Sequence, residues 1–259
     1  MELAYKGTRI FYTDEGKGTA LVLLHGFLEN SSIWKELKSR LTSRYRVVCI
    51  DLLGHGGTGC LGYMHTMTMM AEAVKAVLDH LRLRKVVFAG HSMGGYVALA
   101  FAEMYPDHVK GLALINSTPL PDSEEKKLNR DRAIAAVKEN HKSFIRLAIA
   151  NLFSPKNRKI FSEEIKTLKA EALKTPLQGI VAALEGMKIR PDREVLMHFS
   201  PYPKLLVLGE RDPVMDAKAL KNRLEVAAVE IRVYPDGHMS FLENFEVLQQ
   251  DLKDWLKNI

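Results

Sequence analysis

The sequence predicts an α/β fold: a mostly parallel, eight-stranded sheet with helices on both faces and a helical insertion. Three observations carry this. Short strand-like runs alternate with helical patterns along most of the 259-residue chain, as when parallel strands are joined by crossover helices. Some runs, such as ALVLLHG, are continuously apolar, which fits strands covered on both faces. From about Pro119 to Phe199 the alternation stops and only helical patterns remain.

The elements follow in order. LAYKG and TRIFYTDEG read as a short antiparallel hairpin at one edge, and ALVLLHG (20–26) as the first buried strand. SSIWKELKSRL is a helix with a serine cap and Ile33, Trp34, Leu37 and Leu41 on one side. YRVVCIDLLG is the next strand and MTMMAEAVKAVLDHL the next helix. KVVFAG leads into GHSMGG, and GGYVALAFAEMYP forms a helix that Pro106 stops. VKGLALINS is another strand. The insertion carries RAIAAVKENHKSFIRLAIANLF and SEEIKTLKAEAL, both helical. PKLLVLG, a helix around Asp216 to Val226, the strand VEIRVYP and the helix FLENFEVLQQDLKDWLKNI complete the series. Residues 1–118 and 199–259 are thus expected to form the core, and 119–198 a helical cap.

Composition narrows the function classes. Hydrophobic residues make up 47% and charged residues 26%, values ordinary for a globular protein. The net charge is +6, and the segment from Pro119 to Phe199 holds 16 Lys and Arg against 11 Asp and Glu. That excess is spread through helical sequence with acids interleaved and forms no basic run with aromatics, so nucleic acid is not an expected partner. No apolar run approaches the ~20 residues that span a bilayer, which argues against a membrane protein. MELAYKGTRIFYTDEGKG lacks the apolar centre of a secretion signal. Cys49 and Cys60 are too few for a disulfide framework. A cytoplasmic enzyme or binding protein is expected.

Gly90-His91-Ser92-Met93-Gly94 fits G-x-S-x-G, a pattern that alone would arise roughly 0.1 times by chance in a chain of this length. Its context is specific: the serine falls where a strand ends and a helix begins, as a nucleophile elbow requires. Glycines at 90 and 94 let the backbone close the turn, and Gly95 allows close helix packing. Ser92 then lies at a helix N-terminus, where amide N–H groups favour a developing anion.

A serine nucleophile needs a base. Of nine histidines, His25 and His91 sit inside tight turns, where a structural role is expected. His55, His65, His80, His108, His141 and His198 read as solvent-facing or satisfied polar groups. His238 follows the last strand in PDGHMSF, at the carboxyl edge of the sheet that also carries Ser92, and is the expected base. Its orienting carboxylate should follow PKLLVLG in GERDPVMD. Glu210 is too close to the strand end and Asp216 suits the next helix cap, leaving Asp212 at the loop tip. The order Ser, Asp, His is one of the known chain orders of such triads. For the two oxyanion donors, the Met93 amide follows the nucleophile and the Phe27 amide lies in HGF after an earlier strand. Leu28 and Met239, with Phe27, are expected to wall the acyl pocket.

Two other chemistries find no support. Gly54-His55-Gly56-Gly57-Thr58-Gly59 satisfies G-x-G-x-x-G, but CLGYMHT does not open a helix after it and Asp79 lies in helical sequence, against a dinucleotide site. The histidines are scattered and form no zinc motif. No metal or organic cofactor is expected.

Taken together, HGF at 25–27, DLLGHG at 51–56, GHSMGG at 90–95, GERDPV at 209–214 and GHMSFLEN at 237–244 resemble the α/β-hydrolase superfamily across essentially the whole chain. The resemblance is to small capped cytoplasmic carboxylesterases, and it implies the triad Ser92, Asp212, His238 with Phe27 and Met93 as oxyanion donors. Haloalkane dehalogenases and epoxide hydrolases of that superfamily have aspartate where Ser92 stands; proline iminopeptidases have tryptophan at Met93. Carbon–carbon bond hydrolases have asparagine at His91. Leu53 departs from the proline or arginine common before GHG. The expected activity is hydrolysis of small-molecule carboxylic esters with short to medium acyl chains. The alternatives are a triad-dependent lyase or synthase on an anionic substrate, which Arg130, Arg132 or Arg146 facing the pocket would favour, and a ligand-binding relative with slow turnover.

Overall fold

The computed structural model describes residues 1–259. Its eight strands are β1 (Glu2–Tyr5), β2 (Thr8–Glu15), β3 (Ala20–Leu24), β4 (Arg46–Ile50), β5 (Val86–His91), β6 (Val109–Ile115), β7 (Lys204–Gly209) and β8 (Glu230–Tyr234). They form one open sheet in the order β1-β2-β4-β3-β5-β6-β7-β8. β1 and β2 pair antiparallel, β2 runs antiparallel to β4, and the remaining pairs are parallel.

The helices of the core are α1 (Lys35–Leu41), α2 (Met67–His80) and α3 (Met93–Met104). Between β6 and β7 the chain passes through α4 (Glu124–Asn151), α5 (Asn157–Ile160), α6 (Ser162–Ala172), α7 (Leu177–Lys188) and α8 (Glu194–Phe199), with no strand. α9 (Ala217–Arg223), α10 (Ser240–Glu243) and α11 (Phe245–Leu256) follow. No helix is long and apolar enough to cross a membrane.

The continuously apolar strands are explained by two core layers. Val22, Leu24, Val48, Ile50, Phe88, Leu112 and Leu114 face one layer, shared with α2 and α3. Leu21, Leu23, Val47, Cys49, Ala89, Ala113 and Ile115 face the other, shared with α1 and α11. Since successive strand side chains alternate, a strand covered on both sides must be apolar at every position.

Local differences from the expected elements have local causes. Ser31–Trp34 forms a 3₁₀ turn ahead of α1, and Asn30, not a serine, caps it by accepting the Ser32 N–H at 2.9 Å. α4 is broken at Asn140 (φ −152°, ψ 83°), whose Oδ1 accepts the Ser143 N–H at 3.1 Å and so starts a second helix. The terminal helix is split at Asn244, whose Nδ2 donates to Asp236 Oδ2 at 2.9 Å.

Candidate active site

Strand register assembles the site. Leu24 pairs with Gly90, His91 with Ile115, Ile115 with Val207, and Gly209 with Tyr234. The loops leaving β3, β5, β6, β7 and β8 therefore start along one carboxyl edge. β3 sends its connection to β4 on one side while β5 lies on its other side, so the loops after β3 and β5 diverge around a crevice, the usual place for a ligand in such sheets.

Ser92 stands between β5 and α3 with φ 49° and ψ −116°, a conformation that costs a non-glycine residue about 1–3 kcal/mol and persists only where its surroundings enforce it. They do so by crowding. A Cβ at Gly90 would lie 2.5 Å from the Gly94 carbonyl, and one at Gly94 would lie 2.3 Å from the Leu24 oxygen. Neither glycine has positive φ; both supply space. A Cβ at Gly95 would meet Ser117 Oγ at 2.2 Å, and that hydroxyl donates to the Ser92 carbonyl at 2.8 Å. Leu28 (φ 63°) and Asn116 (φ 46°) are also left-handed. Three of the five non-glycine residues with positive φ thus follow strands at this one edge.

His238 Nδ1 lies 2.7 Å from Asp212 Oδ2, and both residues are buried. Asp212 Oδ1 accepts the Val214 N–H at 2.8 Å, and Oδ2 also accepts from Asn116 Nδ2 at 3.1 Å. Burial alone would raise the Asp212 carboxyl, but His238 and these donors outweigh it and hold it below the usual carboxylate range. Asn116 was not singled out in the sequence. Its second amide hydrogen goes to the Gly237 carbonyl at 3.2 Å, so one side chain ties Asp212 to the loop of His238.

Ser92 is half-buried and its Oγ makes no hydrogen bond in the protein, to His238 or to any other group. Contacts of this type often tighten only when substrate binds. The Phe27 and Met93 amides donate to no acceptor in the protein. Met93 opens α3, where the first N–H groups have no intrahelical partner. Phe27 retains some exposed surface, whereas Leu28 and Met93 are buried in the α2–α3 layer. Met239, expected as a pocket wall, is fully buried in the opposite layer with Trp34, Phe241 and Leu248. Its side chain is therefore core: His238 turns toward the edge and the next residue turns under the sheet.

The loop of His238 is held from the insertion as well. The His238 N–H donates to the Leu152 carbonyl at 2.9 Å. Glu243 Oε2 accepts from Ser154 N, Ser154 Oγ and Asn157 Nδ2 at 3.0, 2.9 and 2.8 Å, while Oε1 accepts from Gly237 N at 3.1 Å and Met239 N at 3.3 Å. Nothing in the spacing of GHMSFLEN reveals these partners, which lie 80 or more residues away for the insertion.

Of the histidines read as solvent-facing or satisfied polar groups, His55 and His65 prove to be wholly buried, each with one ring nitrogen hydrogen-bonded. Burial drives His55 down to about 3 and lowers His65 as well, so both stay neutral. His55 packs edge-on to the Phe27 ring at 5.9 Å. His25 accepts the Leu52 N–H at Nε2 (2.9 Å) and bonds the Gly26 carbonyl through Nδ1 (2.7 Å). The glycine run after β4 braces a carboxylate: Asp51 accepts the Ser31 and Gly57 N–H groups, each at 2.7 Å. No helix starts at Gly59; the next begins at Met67.

Of the six arginines in the insertion, the three singled out above do not converge. Arg130 donates to buried Asp122 at 3.0 Å, Arg132 bonds Asn129 on the surface, and Arg146 is exposed.

Comparison with known proteins agrees with this architecture. The chain is similar to the dihydrolipoyllysine-residue acetyltransferase component of the acetoin cleaving system of Pseudomonas putida, with 30% identity over 93% of the chain, although it covers only 64% of that relative's length. It is 29% identical to a putative 2-succinyl-6-hydroxy-2,4-cyclohexadiene-1-carboxylate synthase of Bacillus subtilis, over 98% of the chain and 96% of the relative. Among solved structures, a malate-bound thermophilic esterase from Thermogutta terrifontis superposes with a TM-score of 0.92 at 31% identity, covering 99% of this chain and 96% of that one. A family model described as the alpha/beta hydrolase fold matches residues 19–245. With that match taking in strands β3 to β8, the elbow after β5 and the loops of Asp212 and His238, the chain belongs to the alpha/beta hydrolase fold family.

Proposed function

We propose that this protein is a serine hydrolase of carboxylic esters with short to medium acyl chains. The observation that carries the reading is the buried 2.7 Å His238–Asp212 contact at the same sheet edge as a strained serine. Ser92 Oγ attacks the ester carbonyl while His238 Nε2 takes its proton. The Phe27 and Met93 amides, both without protein acceptors, receive the oxyanion of the tetrahedral intermediate. His238 then protonates the leaving alcohol, and a water deprotonated by the same ring releases the acid and restores Ser92. Asp212 keeps its charge throughout and stabilises the imidazolium. Residues 119–198 serve as the cap, whose helices select the substrate. The solved esterase at 31% identity supports ester cleavage over other chemistry of the family.

A second reading, a lyase or synthase acting on an anionic substrate, is favoured by the likeness to the Bacillus synthase and by Lys126. This half-buried lysine lines a cavity of about 470 Å³ with Thr118, Leu120 and Met215, while the nearby Asp122 is already engaged by Arg130 and Arg190. The scattered arginines weigh against it. A panel of nitrophenyl esters and thioesters of rising chain length, one with a terminal carboxylate, separates the readings. Turnover of uncharged short and medium esters, lost by at least ~10³-fold in Ser92→Ala, is expected. Turnover confined to the carboxylated substrate supports the second reading, and activity unchanged in Ser92→Ala overturns both.

A further inference from the structure

A second histidine–carboxylate pair lies behind the first. His91, inside the G-x-S-x-G turn, places Nδ1 2.9 Å from Glu29 Oε2 and Nε2 2.9 Å from the main-chain oxygen of His238. Neither side chain of the pair reaches solvent, at 0% and 1% exposure. Glu29 Oε2 also accepts the Gly26 N–H at 2.6 Å. A Cβ on Gly26 would stand 2.8 Å from that oxygen and 2.9 Å from His91 Nδ1, so glycine at 26 is required by the pair itself.

Both partners of the His91 ring are acceptors only. A neutral imidazole has a single N–H and would leave one nitrogen lone pair facing an oxygen, whereas an imidazolium satisfies both contacts. The groups facing the ring agree. Glu29 is an anion opposite it, and Asp212 adds negative charge through His238. His25 spends its two nitrogens on Leu52 and Gly26, and Phe241 presents a ring edge at 5.0 Å. The ring of His238 lies 5.1 Å away.

We propose that Glu29 and His91 form a charged positioning pair for the hydrolytic site, in which the His91 imidazolium spans from the Glu29 carboxylate to the His238 carbonyl. The inference rests on the ester-hydrolase reading. One arm of the pair fixes Gly26 and hence the adjoining Phe27 amide. The other grips the backbone of the base itself, and the ring belongs to the residue before the nucleophile. Three loops that arrive from β3, β5 and β8 are thus held in one register independently of the Asp212 contact. His91 stays charged and hands no proton to substrate.

The test has two arms. In ¹⁵N-histidine-labelled wild-type protein at pH 7, NMR should show both His91 ring nitrogens protonated; a neutral His91 overturns the proposal whatever the activity. Glu29→Gln keeps the shape and removes the charge. It should lower kcat on a nitrophenyl ester at least tenfold, leave KM within about threefold, and shift the His238 Nδ1–H proton resonance. A kcat within twofold of wild type, or a loss seen only in KM, overturns it. If Glu29→Gln does not fold, His91→Gln is read by the same criteria. Failure of the ester-hydrolase reading is recognised separately, as absence of ester turnover in the wild type, and leaves the NMR arm intact.

Discussion

At the residue scale, the site concentrates strain and buried charge on a few positions. Ser92, Leu28 and Asn116 adopt left-handed backbone at the ends of β5, β3 and β6; Ser92 precedes the Met93 amide, Leu28 follows the Phe27 amide, and Asn116 itself donates to Asp212. Asp212 is the most exacting of them, because its two oxygens serve His238, Asn116 and Val214 at once. Asp212→Asn preserves the volume but sets an amide against the imidazole, favouring the wrong tautomer and leaving the protonated ring without its counter-charge. We expect kcat for ester cleavage to fall on the order of 10³–10⁴-fold with KM little changed, read by steady-state kinetics. The placement of Ser92, Asp212 and His238 along one sheet edge was legible in the sequence because each sits in a short local motif after an apolar strand. Glu29, Asn116 and Glu243 were not. Their partners lie 62, 96 and up to 89 residues away, and only strand register brings them together. Met239 misled for a related reason: adjacency to His238 in the chain says nothing about which side of the sheet a side chain faces.

At the element scale, the insertion between β6 and β7 is joined to the core by more than packing. Its Leu152–Asn157 segment meets the loop after β8 through Glu243 and the His238 N–H. Glu243→Ala would leave five donor contacts without their acceptor, each buried donor costing about 1–3 kcal/mol if nothing replaces it. Partial relaxation makes about 2–4 kcal/mol the expected loss in a denaturant titration, accompanied by lower kcat. A Glu243→Ala protein as stable and active as wild type would show the junction to be inert. The helices of this segment were legible as helices but their breaks were not. Asn140 interrupts α4 by capping a new turn, and a lone asparagine within a long periodic pattern does not announce that. The sheet was fully legible, because burial on both faces writes an uninterrupted apolar run into each central strand.

At the scale of the whole molecule, the buried charges set a window of stability. Glu29 and Asp212 are held below their ordinary values of 4.5 and 3.8: burial opposes this, and the histidine opposite each prevails. Their contribution is present above those values and is lost as pH falls through the lower, folded ones. For His91, burial opposes the charge, but Glu29 and the His238 carbonyl hold it above 6.5. Its contribution is complete below 6.5 and is lost as pH rises through the higher, folded value. Burial holds His25, His55 and His65 below 6.5, so their contribution is complete above 6.5 and is lost as pH falls, and the melting temperature should therefore be greatest near pH 6.5. His91→Gln should flatten the alkaline fall, and a fall unchanged by that substitution would place its origin elsewhere. In the proposed function, the fold and its edge-wise loops serve one end, a serine that becomes acylated. Rapid-quench intact-mass spectrometry on protein mixed with a nitrophenyl ester tests this most directly. A transient mass increase equal to one acyl group, mapping to Ser92 and absent in Ser92→Ala, is expected. Turnover with no acyl adduct, or with an adduct on another residue, would contradict it.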